Sequence, residues 1–238
     1  MKLDRRRFLQ AVTAALTLEA LPLAALAATP GKMKIGIVGS GNVGGTLGGV
    51  WVKTGHEVMF SSRNLEHDKA LAAQLGANAR AGTPREAAAF GEVVMVSVPY
   101  RALPEVGKEL GELLKGKVVI DTCNPFVGRD GEIATWARQK GAGLASAELL
   151  RGARLVRAFN AIGSARMGSA HEQPGRVGMP IAGDDGEAVA LASRLIRDIG
   201  YEPVLIGGLA MGKHLMPGTP LAGERTPQEI RRIASTLK

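Results

Sequence analysis

Short apolar runs alternate with longer amphipathic stretches along most of this chain. Met33 to Val38 is a short apolar run of the kind that forms a strand. It leads into Gly39-Ser40-Gly41-Asn42-Val43-Gly44 and then a helical stretch that ends near Thr54-Gly55. A second strand is predicted over Glu57 to Ser61, and an Ala- and Leu-rich helix over about Leu65 to Leu75, stopped by Gly76. Thr83-Pro84-Arg85-Glu86 has the form of a capping box with proline at the first helical position, so a short helix precedes the strand Val93 to Val98. Pro99 closes that strand. A helix over Ala102 to Leu114, a strand over Lys117 to Asp121, a helix around Ile133 to Gln139 and a strand over Leu155 to Phe159 continue the series. Beyond them come a strand over Met179 to Ala182, a helix from Glu187 to Ile199 and a last strand around Glu202 to Leu205. Strands alternating with helices select an α/β class with a mainly parallel sheet and helices on both faces.

The first residues follow another pattern. Asp4-Arg5-Arg6-Arg7-Phe8-Leu9-Gln10 precedes an Ala- and Leu-rich stretch ending at Ala25-Leu26-Ala27. A charged region, an apolar region and a small-residue cleavage site make an export signal, and the arginine pair makes it a twin-arginine one. Glu19 and Pro22 interrupt the apolar stretch, which argues against a membrane anchor. The expected organisation is an export signal over 1–27, a single domain over 28–217 and a carboxyl-terminal tail with a surface helix over 218–238. Such a signal implies a periplasmic or exported protein. Were Met33 the true start, the protein would be cytoplasmic.

Charge and composition narrow the partners. The formal net charge is +8, and the first 27 residues carry two of those charges. There is no run of five or six like charges and no aromatic stacking module, so a ligand phosphate explains the basic character better than nucleic acid does. The chain is 45% hydrophobic with 32 glycines, which suits a packed core crossed by tight turns. Cys123 is the sole cysteine and forms no intramolecular disulfide, and no Cys or His cluster has metal-ligand spacing.

The strand, glycine turn and helix at the front of the domain point to a dinucleotide site of Rossmann type. Gly39 permits the tight turn, Gly41 lets the backbone approach a pyrophosphate, and Gly44 allows the helix to pack close to the strand. About twenty residues further on, an NAD site usually places a carboxylate for the ribose hydroxyls. This chain has Ser61-Ser62-Arg63-Asn64 instead. A guanidinium fork at Arg63 and a hydroxyl at Ser62 favour a 2′-phosphate, hence NADP(H) over NAD.

With Ser61-Ser62-Arg63-Asn64, Val98-Pro99, and Asp121-Thr122-Cys123-Asn124-Pro125, the chain resembles the coenzyme F420-dependent NADP reductase family. Val156-Arg157-Ala158-Phe159-Asn160 and Pro180-Ile181-Ala182-Gly183-Asp184-Asp185 extend the resemblance, which also reaches the oxidoreductase domain of the six-transmembrane prostate-antigen metalloreductases. The resemblance implies hydride transfer between NADP(H) and a deazaflavin (F420) or flavin acceptor, FMN or FAD. It implies that Ser40, Asn42 and Val43 line the pyrophosphate, and that Val98 and Pro99 form the adenosine-side wall. It directs Asn124, Pro125, Ala158 and Asn160 toward the nicotinamide, although Asn160 reads equally as a strand-end residue tying down a loop. Catalytic residues are not assigned, since hydride transfer needs proximity and orientation more than an acid or base.

Other residues have plainer readings. Cys123 reads as a buried thiol, His214 as a helix cap, and Met167, Met179, Met211 and Met216 as core fillers. Arg151, Arg154 and Arg157 read as a charged surface edge, while His67 and Lys69 read as solvated helix residues. Two competing functions stay open: a small-substrate NADP-dependent dehydrogenase or imine reductase, and a non-catalytic NADPH-binding sensor or carrier. No membrane span is expected after signal removal, and a homodimer is open.

Overall fold

The computed structural model describes residues 31–169 and 172–237. The expected export segment, residues 1–27, lies outside the described residues. Eight strands form one sheet: β1 Lys34–Val38, β2 Glu57–Ser61, β3 Ala79–Ala81, β4 Val93–Val96, β5 Val118–Asp121, β6 Arg154–Arg157, β7 Gly178–Gly183 and β8 Glu202–Leu205. Their spatial order is β3-β2-β1-β4-β5-β6-β7-β8. Every neighbouring pair is parallel except β6 and β7, which run antiparallel. This is the Rossmann-type, doubly wound fold, and the described residues from Lys32 onward form one compact unit.

The strands form because their residues can be covered on both faces. All four residues of β4 and all four of β5 are buried. One face of the sheet is packed by Ile35, Ile37, Phe60 and Met95 against Trp51 of α1 (Asn42–Lys53) and Leu195 of α8 (Gly186–Asp198). The other is packed by Val94, Val96 and Val119 against Leu103, Leu110 and Leu114 of α4 (Leu103–Leu114). Between these helices in the chain lie α2 (Leu65–Leu75), α3 (Pro84–Phe90), α5 (Val127–Asp130), α6 (Glu132–Lys140) and α7 (Ala142–Leu149). The capping box at Thr83 forms in full, with Glu86 returning to the Thr83 N–H.

Three differences from the sequence reading have physical causes. Strand β3 is the short edge sequence Ala-Arg-Ala, which carries no apolar run to announce it. Helix α7 is built from small residues because it sits against another backbone: a Cβ on Gly143 would lie 2.0 Å from the Leu209 carbonyl oxygen. Strand β6 stops at Arg157 because Phe159 takes φ 67°, which ends the extended run.

The carboxyl-terminal segment, expected as a tail, is packed against the sheet. Its helix α9 (Pro227–Ala234) buries Pro227 and Ile230, and Ile230 joins Ala182, Val204, Leu215 and Leu221 in a third apolar cluster. Among the described residues no helix is long and apolar enough to cross a membrane.

Candidate functional site

The chain leaves β1 toward β2 and β3 on one side, then returns to β4 on the other, so a crevice opens at the carboxyl ends of β1 and β4. The glycine turn follows β1. Gly39 has φ 104°, and a Cβ there would lie 2.2 Å from the Ser97 carbonyl oxygen. A Cβ on Gly44 would lie 2.1 Å from the Gly39 carbonyl oxygen, so this glycine closes the turn onto the helix. Gly41 differs: a Cβ there would meet nothing within 4 Å, because it faces open space. Helix α1 starts behind it with no side-chain cap and no acidic residue in its first turn. Its first N–H groups, with the positive end of the helix dipole, face the crevice.

Two cavities meet at this turn. The first, about 400 Å³, is lined by Gly39, Gly41, Ser62, Arg63, Val98 and Pro99 among others. Arg63 is exposed and makes no ion pair or hydrogen bond with another described residue. The second, about 350 Å³, shares Gly41, Ser97, Val98 and Pro99 and continues along Asn42, Val43, Thr122, Asn124, Phe126 and Met167.

The geometry brings nine of the sequence-predicted residues, Gly39, Gly41, Asn42, Val43, Ser62, Arg63, Val98, Pro99 and Asn124, to these cavities. Five others have different places. Gly44 packs beneath the turn, as its role requires. Ser40 is buried; its N–H donates to the Ser61 carbonyl at 2.9 Å and its hydroxyl to Asp68, and it lines neither cavity. Pro125 is buried and lines neither cavity, and Ala158 lies in the core. Asn160 is buried, with Nδ2 donating to the Cys123 carbonyl at 3.4 Å. It ties the loop after β5 to the end of β6, and Asn124 Nδ2 returns a bond to the Asn160 carbonyl at 2.8 Å. The Asn124 carboxamide oxygen is buried without a hydrogen-bond partner, beside the second cavity.

Residues 34–125 match the family described as NADP oxidoreductase coenzyme F420-dependent. Over these residues the chain is similar to that family. Metalloreductase STEAP3 of Rattus norvegicus is 31% identical over 182 residues, which cover 76% of this chain and 35% of that protein. The chain thus spans about a third of the length of that relative. Among solved structures, the Sinorhizobium meliloti protein SMa0349 superposes with a TM-score of 0.65 at 22% identity, covering 81% of this chain and 93% of that one. A protein of Arthrobacter sp. FB24 named for an F420-dependent NADP reductase gives 0.65 at 21% identity, covering 76% and 87%.

The wall of the second cavity rests on a buried ion pair that the sequence did not announce. Arg157, expected on a surface edge, is completely buried: it bonds Asp121, donates to Ser146 Oγ at 3.2 Å and to the Cys123 carbonyl at 3.1 Å. The Asp121 carboxylate also accepts the Cys123 N–H at 2.7 Å. Arg154 instead forms a surface pair with Asp185 and Glu187. Cys123 is buried, and burial raises its thiol pKa well above the ordinary value, with Asp121 adding to the shift.

Phe159, which also lines the second cavity, is the only described non-glycine residue with positive φ. A bulky side chain is rarely held there, and edge contacts to Trp51 and Tyr201 keep it. Thr122, from the motif Asp121 to Pro125, also lines the wall, as do Phe126, Arg129 and Ile162, which carried no motif. The Arg129 guanidinium lies 5.0 Å from the Phe126 ring centroid and bonds the buried Asp130. Asp68, buried against the Ser40 and Ser62 hydroxyls, also carried no motif.

Proposed function

We propose that this protein binds NADP(H) along the two cavities and transfers hydride between it and a deazaflavin or flavin acceptor such as coenzyme F420, FMN or FAD. The residues fit the cofactor: an uncapped helix end and open space at Gly41 suit a pyrophosphate, and unpaired Arg63 suits a 2′-phosphate. The buried, unpartnered Asn124 oxygen suits the amide of a nicotinamide. Bound nicotinamide supplies a hydride donor or acceptor.

The observation that carries the reading is the lining of the second cavity. Among the described residues its lining holds no carboxylate, imidazole or thiol, and Arg129 is the one ionisable group there. A site built to protonate an imine or take a proton from an alcohol needs such a group within reach. Transfer between two stacked rings needs positioning and exclusion of water. Val43, Val98, Pro99, Phe126, Ile162 and Met167 give the apolar surface for that, and the turn at Phe159 and Asn160 holds the floor.

The test mixes purified protein with NADPH and follows reduced nicotinamide absorbance at about 340 nm as F420, FMN, FAD and small imines are added in turn. Oxidation with a ring acceptor alone supports the proposal. Tight NADPH binding with no acceptor oxidising it transfers the reading to a sensor or carrier. We also propose that residues 1–27 direct twin-arginine export to the periplasm. Replacing Arg5 and Arg6 by Lys should retain the protein in the cytoplasm, and the exported wild type should begin at Ala28.

A further inference from the structure

Beneath the first cavity lies a carboxylate that the cofactor reading does not use. Asp68, in the first turns of α2, is completely buried. The Ser40 hydroxyl donates to its Oδ1, the Ser62 hydroxyl donates to its Oδ2 at 2.8 Å, and His67 Nδ1 lies 3.2 Å from Oδ1. One acidic side chain therefore joins the glycine turn to the segment that faces the 2′ position of a bound nucleotide.

A hydroxyl has one proton to give, and a carboxylate has none. The Ser62 proton is taken up by Asp68, and Ser62 Oγ also accepts the Asn64 N–H at 3.0 Å. The alternative acceptor for that proton, the Asn64 carbonyl at 3.3 Å, belongs to the same loop. What Ser62 turns to the cavity is a lone pair. A lone pair suits a ribose hydroxyl, which can donate, and opposes phosphate oxygens, which cannot. The Asp68 charge acts in the same direction, and Arg63 acts against both.

We propose that Asp68 is a positioning residue that sets cofactor preference: it holds Ser62 as an acceptor and leaves Arg63 to bind the 2′-phosphate without help from that hydroxyl. The inference rests on the cofactor reading above. It departs from the reading of Ser62 as a phosphate donor, and it makes the site one that accepts both NADPH and NADH.

The experiment measures dissociation constants for NADPH and NADH by nucleotide fluorescence, with the melting temperature of each variant alongside. In Asp68→Asn the amide can donate to Ser62, releasing its proton toward the cavity, and one negative charge is gone. The NADPH preference should then rise by about fourfold, the effect of one charge at partly screened range. Ser62→Ala should hold or raise the preference, since the lone pair it removes served the ribose hydroxyl and no phosphate bond is lost. Arg63→Ala should reduce it by about tenfold or more. The proposal is overturned if Ser62→Ala lowers the preference as Arg63→Ala does. It is equally overturned if Asp68→Asn weakens both nucleotides alike, which is what a purely structural latch predicts, with a lower melting temperature. Should Asp68→Asn not fold, Ser62→Ala decides alone. If wild type binds neither nucleotide, the cofactor reading falls first and this one with it.

Discussion

Asp121 and Arg157 stand opposite each other on the neighbouring parallel strands β5 and β6, and neither side chain reaches solvent. The pair clamps the Cys123 peptide from two sides, Asp121 on its N–H and Arg157 on its carbonyl. The next residue is Asn124, so this clamp fixes part of the wall of the second cavity. Removing one partner leaves a buried charge without compensation. Arg157→Met or Asp121→Leu should each cost about 3–5 kcal/mol in urea unfolding, while the double variant should recover most of that loss. Additive losses in the double variant would show that the two groups are not coupled.

The two glycines on either side of the helix start should respond in opposite ways. At Gly41 φ is −70° and ψ is −158°, ordinary for alanine, and the added Cβ meets nothing. Gly41→Ala should melt at or slightly above the wild-type temperature, by up to about 1 kcal/mol of stability. It should still bind NADPH more than about tenfold more weakly, because the methyl occupies the approach to the helix end. Gly44→Ala places its Cβ 2.1 Å from the Gly39 carbonyl oxygen and should lose about 1–3 kcal/mol or more. Melting curves with and without NADPH separate the two effects.

Stability should fall below neutral pH through His56. Its ring is buried, Nδ1 accepts the Met33 N–H at 3.2 Å, and Nε2 lies 3.1 Å from Asp198. Burial holds its pKa below the ordinary value, against the pull of Asp198. The unfolded chain therefore takes up a proton near pH 6.5 while the folded one stays neutral to lower pH. The contribution is complete above that pH and is lost as pH falls toward the folded pKa, at no more than about 1.4 kcal/mol per unit. Urea midpoints at about pH 7.5 and 5.5 should differ more in wild type than in His56→Gln. Equal differences would remove His56 from the account.

Cys123 should be inert in the folded protein. It is buried, and its raised pKa keeps the thiol protonated. A thiol reagent at about pH 8 should label it only after denaturant is added. Labelling of the native protein at the rate of a free thiol would contradict the packing of the loop after β5.

Much of this architecture could be read in one dimension. Strand β2, helix α2 and strand β8 run over the residues that the apolar pattern predicts, and the capping box at Thr83 forms as its residues require. The roles of Gly39 and Gly44 could be read as well, because a tight turn and close helix packing each exclude a side chain locally. The short edge strand β3 could not, since pairing with β2 supplies what its own residues lack. Arg154 and Arg157 look alike in sequence, yet one lies at a surface pair and the other in the core. Their difference comes from which strand neighbour faces each guanidinium.

The same division holds at the site. By itself the sequence determined an α/β fold, a dinucleotide turn and a cation at Arg63, because these depend on periodicity, on missing Cβ atoms and on residue chemistry at a fixed distance along the chain. Only the tertiary structure decided that Ser40 and Ser62 spend their protons on Asp68, that Asn160 ties a loop, and that Phe126 and Met167 share a wall with Asn42. Those relations join residues from different crossovers of the sheet. A hydrogen bond goes to whichever group the fold brings within about 3 Å, and separation along the chain does not specify that group.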